Sequence, residues 1–433
     1  CKSRNADIRE MTMGFVTADK SHYRDAAYAA PLETLDPAQP ELFAANAMWS
    51  IFERLRREDP VHFTPGGEFG PYWSITKYND IMAVDTNHQV FSSDFALGGI
   101  TIGGGMQNVD PLPMFIAMDP PKHDVQRKAV SPAVAPSALA TMAPEIRERA
   151  AKILDDLPIG EEFDWVDLVS KELTAMTLAT LFDAPQEDRR KITHWSDVVT
   201  AAPMPGAIVE TMEEKMTVLG EYAEYFTKLW NNKVNAEPHG DLISMLAHHP
   251  ATRHMEPREY FGNVVLLTVG GNDTTRNTIS GSIFALNQNP DQYAKLRVDH
   301  SLIPSMVSET IRWQTPLAHM RRTALSDIEF QGKQIKKGDK VVMWYVSGNR
   351  DEEVIDRPND YIIDRERSRQ HISFGFGIHR CVGNRLAELQ LQIIWEEILK
   401  RFPEIIVTQE PKYSRSTFVK GYEKMMVIIP KRA

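Results

Sequence analysis

The sequence predicts a mainly α protein with a minor β region, folded as a single domain over 1–433 behind an N-terminal extension of about 1–40. Three observations point there. Several long stretches carry apolar residues at helical spacing, and short β-prone runs cluster near the start and at the tail. No Pro/Gly/Ser-rich linker separates two differently composed halves, and no internal repeat is visible.

Taken in chain order, the first strands lie between Val61 and Thr76, two short runs around a Gly/Pro turn. Gly98-Gly99-Ile-Thr-Ile-Gly103-Gly104-Gly105 follows. It lacks the Lys-Ser/Thr pair and the strand–helix frame of a phosphate cradle. It reads instead as a flexible surface loop in which Ile100 and Ile102 serve a lid. A long helix is expected from near Tyr260 to about Asn289, stopped by Pro290, and another over roughly Ile303 to Gln314. From Leu386 the apolar positions Leu389, Ile393, Ile394, Ile398, Leu399 and Phe402 share one face, and Pro403 ends that helix. Ile405 to Ile429 alternates as strands with turns.

Composition narrows the function. With 25% charged and 42% hydrophobic residues the chain is ordinary globular protein, not a disordered, collagenous or coiled-coil one. The longest strongly apolar stretch, Val264 to Val269, is too short for a bilayer span. A balance of 49 Lys+Arg against 59 Asp+Glu, net −10, disfavours a general nucleic-acid binder. Cysteine occurs only as Cys1 and Cys381, which excludes a disulfide scaffold, a zinc ribbon and an iron–sulfur cluster. The opening residues hold no signal-peptide core, so a cytoplasmic protein is expected, trimmed at its N-terminus because it begins with Cys1.

The segment Phe374-Gly-Phe-Gly-Ile-His379-Arg380-Cys381-Val-Gly383 leads directly into the last long helix. A helix start favours a thiolate through unpaired backbone N–H groups and the dipole's positive end. Gly375, Gly377 and Gly383 let a flat, bulky group approach the backbone, and His379 and Arg380 add positive charge. A thiolate so placed suits a haem iron. A bare cysteine at a helix start reads equally as a packed structural thiol, and only the whole spacing selects the ligand reading.

That spacing resembles the haem-binding loop of the cytochrome P450 superfamily, the haem-thiolate monooxygenases. The resemblance implies the cytochrome P450 fold, a triangular helical prism around haem b, with Cys381 as axial thiolate ligand and Phe374 beside the cofactor. Three landmarks lie in the family's order. Gly270-Gly271-Asn272-Asp273-Thr274-Thr275 is a poor mid-helix string, costing about 1 kcal/mol per Gly. The resemblance gives Gly271 the role of leaving room for oxygen, Thr274 that of hydrogen-bonding dioxygen or its water, and Asp273 proton supply. Glu309 and Arg312 match the family's buried pair behind the haem loop, tied to an Arg in the stretch from Asn349 through Pro358 to Arg365 and Arg367. Arg127, Arg322, His379 and His123 match the partners of the two haem propionates, carboxylates that need charged donors when buried.

The chain holds no recognisable flavin, iron–sulfur or dinucleotide module, so a separate ferredoxin and ferredoxin reductase are the expected electron donors, with O2 as co-substrate. Lys128 and Arg380 offer a basic patch for an acidic carrier. A monomer without a transmembrane segment is expected. Gly270–Asn277, Ile311–Arg322 and Asp339–Arg350 resemble the bacterial branch that hydroxylates the terminal methyl of medium-chain alkanes and fatty acids. A sterol side-chain hydroxylase shares part of the first string and is the alternative; a non-catalytic haem-thiolate sensor is the alternative of another class, which needs no acid–alcohol pair. By family position the apolar linear substrate is expected against Leu266, Val269, Leu317, Ala318, Phe418, Ile100 and Ile102.

Overall fold

A computed structural model describes residue 15 and residues 17–103 and 112–433; Cys1, Gly104 and Gly105 lie outside the described residues. The strands, in chain order, are β1 (Val61–Thr64), β2 (Tyr72–Ile75), β3 (Phe91–Ser92), β4 (Glu162–Asp164), β5 (Met320–Ala324), β6 (Ile328–Phe330), β7 (Lys333–Ile335), β8 (Lys340–Met343), β9 (Ile406–Val407), β10 (Lys412–Tyr413), β11 (Tyr422–Lys424) and β12 (Met426–Ile428). The helices that build the site are α1 (Tyr78–Thr86), α2 (Lys122–Val130), α3 (Pro136–Asp155), α4 (Lys171–Phe182), α5 (Arg189–Thr200), α6 (Met212–Lys233), α7 (Pro257–Gln288), α8 (Ile303–Gln314) and α9 (Asn384–Arg401). Helix dominates, and the mainly α reading holds.

The expected hairpin forms with Val61 opposite Ile75 and Thr64 opposite Tyr72. It continues into a five-stranded sheet of order β1-β2-β8-β5-β3, in which β2 and β8 run parallel. This sheet carries Arg322 on β5. The C-terminal alternation becomes β9 to β12, with β12 flanked by β4 and β9.

Helix α7 crosses the molecule and packs against α4, α5 and α8, while α9 packs along α3. Its buried residues include Val264, Val265, Ile279, Ile283 and Leu286, part of one core that also takes Leu391, Ile394 and Trp395 of α9. Pro257 at its first turn and the C-cap Asn289 before Pro290 set its limits. A smaller core around Trp344 and Val342 takes in Ala27, Leu42, Phe43 and Phe52. Among the described residues no helix is long and apolar enough to cross a membrane.

Candidate active site

Cys381 stands three residues before α9, and its backbone N–H donates to Phe374 O at 2.8 Å, closing the loop. Gly375 and Gly377 each have φ of 66°, and a Cβ on Gly377 would lie 2.8 Å from Asp85 O of α1. Only glycine meets both demands there. The Cys381 thiol is accessible from an internal cavity of about 1100 Å³ rather than locked in the core. Burial by the surrounding protein pushes its pKa up; the Gly383 amide and the Arg127 and Arg380 guanidiniums pull the other way and are outweighed. In the metal-free protein desolvation is the larger effect, opposed by the helix start and the two guanidiniums. A bound metal cation reverses that balance, since a coordinating thiol is deprotonated outright.

Arg127, Arg322, His379 and Phe374 all line the same cavity. Arg322 is held from behind: Nη2 donates to Asp85 Oδ1 at 2.7 Å and Nη1 to Arg321 O at 2.8 Å. The other Asp85 oxygen accepts from Tyr345 Oη at 2.9 Å and from the Phe376 amide at 2.7 Å. Arg127 donates to Arg380 O. His379 is buried with neither ring nitrogen partnered. Burial, then Arg322, His123, Arg127 and His88, pushes it down to about 2. His123 lies edge-on to it, ring centroids 4.3 Å apart, with Nδ1 on Asp124 and Nε2 buried and unpartnered. His123 itself stands behind the cavity wall rather than in it. Buried donors without acceptors are rare in folded proteins. Two carboxylates placed here would satisfy the orphaned nitrogens and raise the histidine, so the residues fit a haem with its propionates.

The opposite side of the cavity is α7. Thr274 faces it, its Oγ1 donating back to Gly270 O at 3.1 Å. The expected room at Gly271 is found one residue earlier. A Cβ on Gly270 would meet nothing within 4 Å, whereas one on Gly271 would lie 3.1 Å from Leu178 Cδ1 of α4. Asp273 is not brought to Thr274. Its carboxylate is fully buried toward α5, where Oδ1 accepts from Asn272 Nδ2 at 2.9 Å and Ser196 Oγ at 3.2 Å, with Arg276 at 3.3 Å. Successive helical side chains point about 100° apart, which sends the two residues to different faces. Burial holds the Asp273 carboxyl above the usual range against the pull of Arg276, and its Oδ2 has no partner.

Leu266, Val269, Leu317, Phe418, Ile100 and Ile102 line the cavity as expected. Ala318 does not. It is fully buried in the Trp344 core, donating its N–H to Phe418 O at 2.8 Å, because extended backbone alternates faces and Leu317 takes the cavity side. Glu309 and Arg312 are both 0% exposed and paired at 2.7 Å, with Arg365 on the same carboxylate at 3.1 Å. Arg312 also donates to Asn349 O, Pro358 O and Asp360 O.

Sequence reasoning missed Asp85, Tyr345 and His319. Asp85 and Tyr345 belong to no local string; they act on Arg322 across the fold. His319 sits fully buried, Nδ1 2.7 Å from Thr417 O, while Nε2 accepts from the Ile102 amide at 3.1 Å. It ties the loop bearing Ile100 and Ile102 to the turn bearing Phe418.

The cytochrome P450 family model matches residues 67–429. The chain is 36% identical to linalool 8-monooxygenase of Pseudomonas putida, over 92% of this chain and 100% of that protein. It is 31% identical to the methyl-branched lipid omega-hydroxylase of Mycobacterium tuberculosis, over 87% and 90%. Cytochrome P450-153 from Novosphingobium aromaticivorans superposes with a TM-score of 0.84 at 46% identity, over 91% of this chain and 98% of that one. A thiol in a glycine loop, buried donors awaiting carboxylates and a family match over most of the length agree: the chain belongs to the cytochrome P450 family, haem-thiolate monooxygenases carrying haem b on an axial cysteine.

Proposed function

We propose that the protein hydroxylates the terminal carbon of a medium-chain alkane or fatty acid, drawing electrons from a ferredoxin and its reductase. The observation that carries this reading is the cavity wall. Leu266, Val269, Leu317, Phe418, Ile100 and Ile102 make it apolar, and it also holds Cys381 and Thr274. An apolar chain enclosed there gains roughly 0.8 kcal/mol per buried CH₂, enough to orient a substrate that has no polar handle. The likeness to an enzyme named for omega-hydroxylation supports chain-end attack.

Haem, when bound, supplies the activation of dioxygen. Cys381 holds it, and Arg127, Arg322 and His379 take its carboxylates, with His123 bracing His379. Thr274 holds a proton at Oγ1 on the cavity side of α7. Asp273, Ser196 and Arg276 form a buried polar cluster on the α5 side of the same helix, the proton store of this reading. Exposed Lys128 and Arg380 face an acidic electron carrier.

The test is incubation of purified holoprotein with dodecane, dodecanoic acid and cholesterol, using a surrogate ferredoxin and reductase. Terminal alcohols from the straight chains support the reading. Product from cholesterol alone, or hydroxylation confined to internal carbons, overturns it.

A further inference from the structure

The cavity wall contributed by the connection from α5 to α6 contains a buried ammonium. Lys215, in the first turn of α6, is 2% exposed and lines the cavity. Its Nζ donates to Val199 O at 3.0 Å and Ala201 O at 2.6 Å, carbonyls at the end of α5. An ammonium carries three donors, so one N–H is left over. Among the described residues no carboxylate pairs with Lys215, and only the negative end of the α5 dipole offsets its charge. Burying a cation so thinly compensated is unfavourable, and burial alone pulls Lys215 down to about 8.

The other charges on the cavity wall are placed differently. Arg322 is held by Asp85, Arg127 stands at the Cys381 loop, and Arg415 is paired with Glu41. Glu68 and Glu210 are exposed acids that repel an anion. Lys215 is therefore the buried cavity cation, away from the haem loop, that an anionic substrate can satisfy.

We propose that Lys215 is a specificity-determining residue whose remaining N–H takes the carboxylate of a medium-chain fatty acid, ranking acids above alkanes of equal length. The inference rests on the chain-end hydroxylase reading and sharpens its substrate class. A charge-assisted bond to a carboxylate in an apolar cavity is worth about tenfold or more in affinity.

The experiment titrates the haem-loaded full chain with dodecanoate, methyl dodecanoate and dodecane, following the substrate-induced change in the haem spectrum. On the unmodified protein dodecanoate should bind about tenfold tighter than its methyl ester. Lys215→Gln keeps donors for the two carbonyls but removes the charge, and the preference for dodecanoate over dodecane should fall about tenfold. Lys215→Arg should recover part of it. Equal affinity for acid and ester on the unmodified protein, or a Lys215→Gln variant with an unchanged acid-to-alkane preference, overturns the proposal and leaves Lys215 as a cap on α5. Product analysis separates the two readings: terminal alcohols with no acid preference sink Lys215 alone. No terminal product from any chain sinks the hydroxylase reading, while the affinity ratios still decide on Lys215.

Discussion

Replacing Glu309 by Ala should strip the chain of haem and of much of its stability. The magnitude follows from what converges on that carboxylate. Arg312 reaches it with Nε at 2.7 Å and Nη2 at 2.8 Å, Arg365 with Nε at 3.1 Å and Nη2 at 3.2 Å, and the Ile362 amide at 2.8 Å. Glu309 and Arg312 are wholly buried, and Arg365 keeps 9% exposure. Removing the acid leaves two guanidiniums facing each other with no anion between them. Breaking one buried pair costs about 3–5 kcal/mol, and the second cation places this site at the upper end. Domains are stable by only about 5–15 kcal/mol in total. The loss spreads to the segment from Asn349 to Asp360, whose carbonyls Arg312 fixes behind the Cys381 loop. The assay is urea unfolding of the purified protein with haem content measured on the same sample. A Glu309→Ala protein with full haem and a stability within about 0.5 kcal/mol of the parent, the scatter of a surface substitution, would refute the argument.

Three further outcomes are expected. Thr274→Ala should keep haem and substrate binding, since Ala is well tolerated mid-helix. Product formed per reductant consumed should fall by about 10²–10⁴ at most, the range for positioned proton transfer, with hydrogen peroxide rising in step; unchanged coupling removes Thr274 from the chemistry. His319 should make the fold acid-sensitive. Burial pushes it down to about 4 from an unfolded value near 6.5, so only the unfolded chain takes up its proton in between. That contribution is complete above pH 6.5 and declines as pH falls toward 4, by up to about 1.4 kcal/mol per pH unit. His319→Gln should flatten this limb in urea unfolding at pH 7, 6 and 5; parallel slopes for parent and variant would contradict it. Asp85→Asn should weaken haem retention, because Arg322, Tyr345 and the Phe376 amide all lean on that carboxylate. Haem transfer to an apo-globin trap would read the faster loss, and an unchanged rate would argue against it.

Local periodicity made the helices legible. The span Ile303–Gln314 coincides with α8, and Pro290 and Pro403 close α7 and α9 where chain chemistry demands. The hairpin at Val61 was readable from its turn, but its place in a mixed sheet was not: Trp73 pairs in parallel with Val341, and no local pattern reports so distant a partner. The site divides the same way. Cys381, Thr274 and the Glu309–Arg312 pair sit in short strings whose spacing carries their chemistry. The direction a side chain takes does not show in such strings, so the open glycine is Gly270, Asp273 turns toward α5 and Ala318 packs into the core. Asp85, His319 and Lys215 act through contacts made across the fold, and each looks like an ordinary polar residue in its own segment.

The central claim is that Cys381 is the iron's ligand, and the spectrum of the reduced protein under carbon monoxide tests it most directly. The parent should give the spectrum of a thiolate-ligated haem. Cys381→Ser should keep its far-ultraviolet helical dichroism, since the loop is held by backbone bonds such as the Cys381 amide on Phe374 O, and should lose the thiolate-type spectrum together with turnover. A Cys381→Ser protein that kept the parent's spectrum would place the iron on another ligand, Cys1 included, and contradict the account.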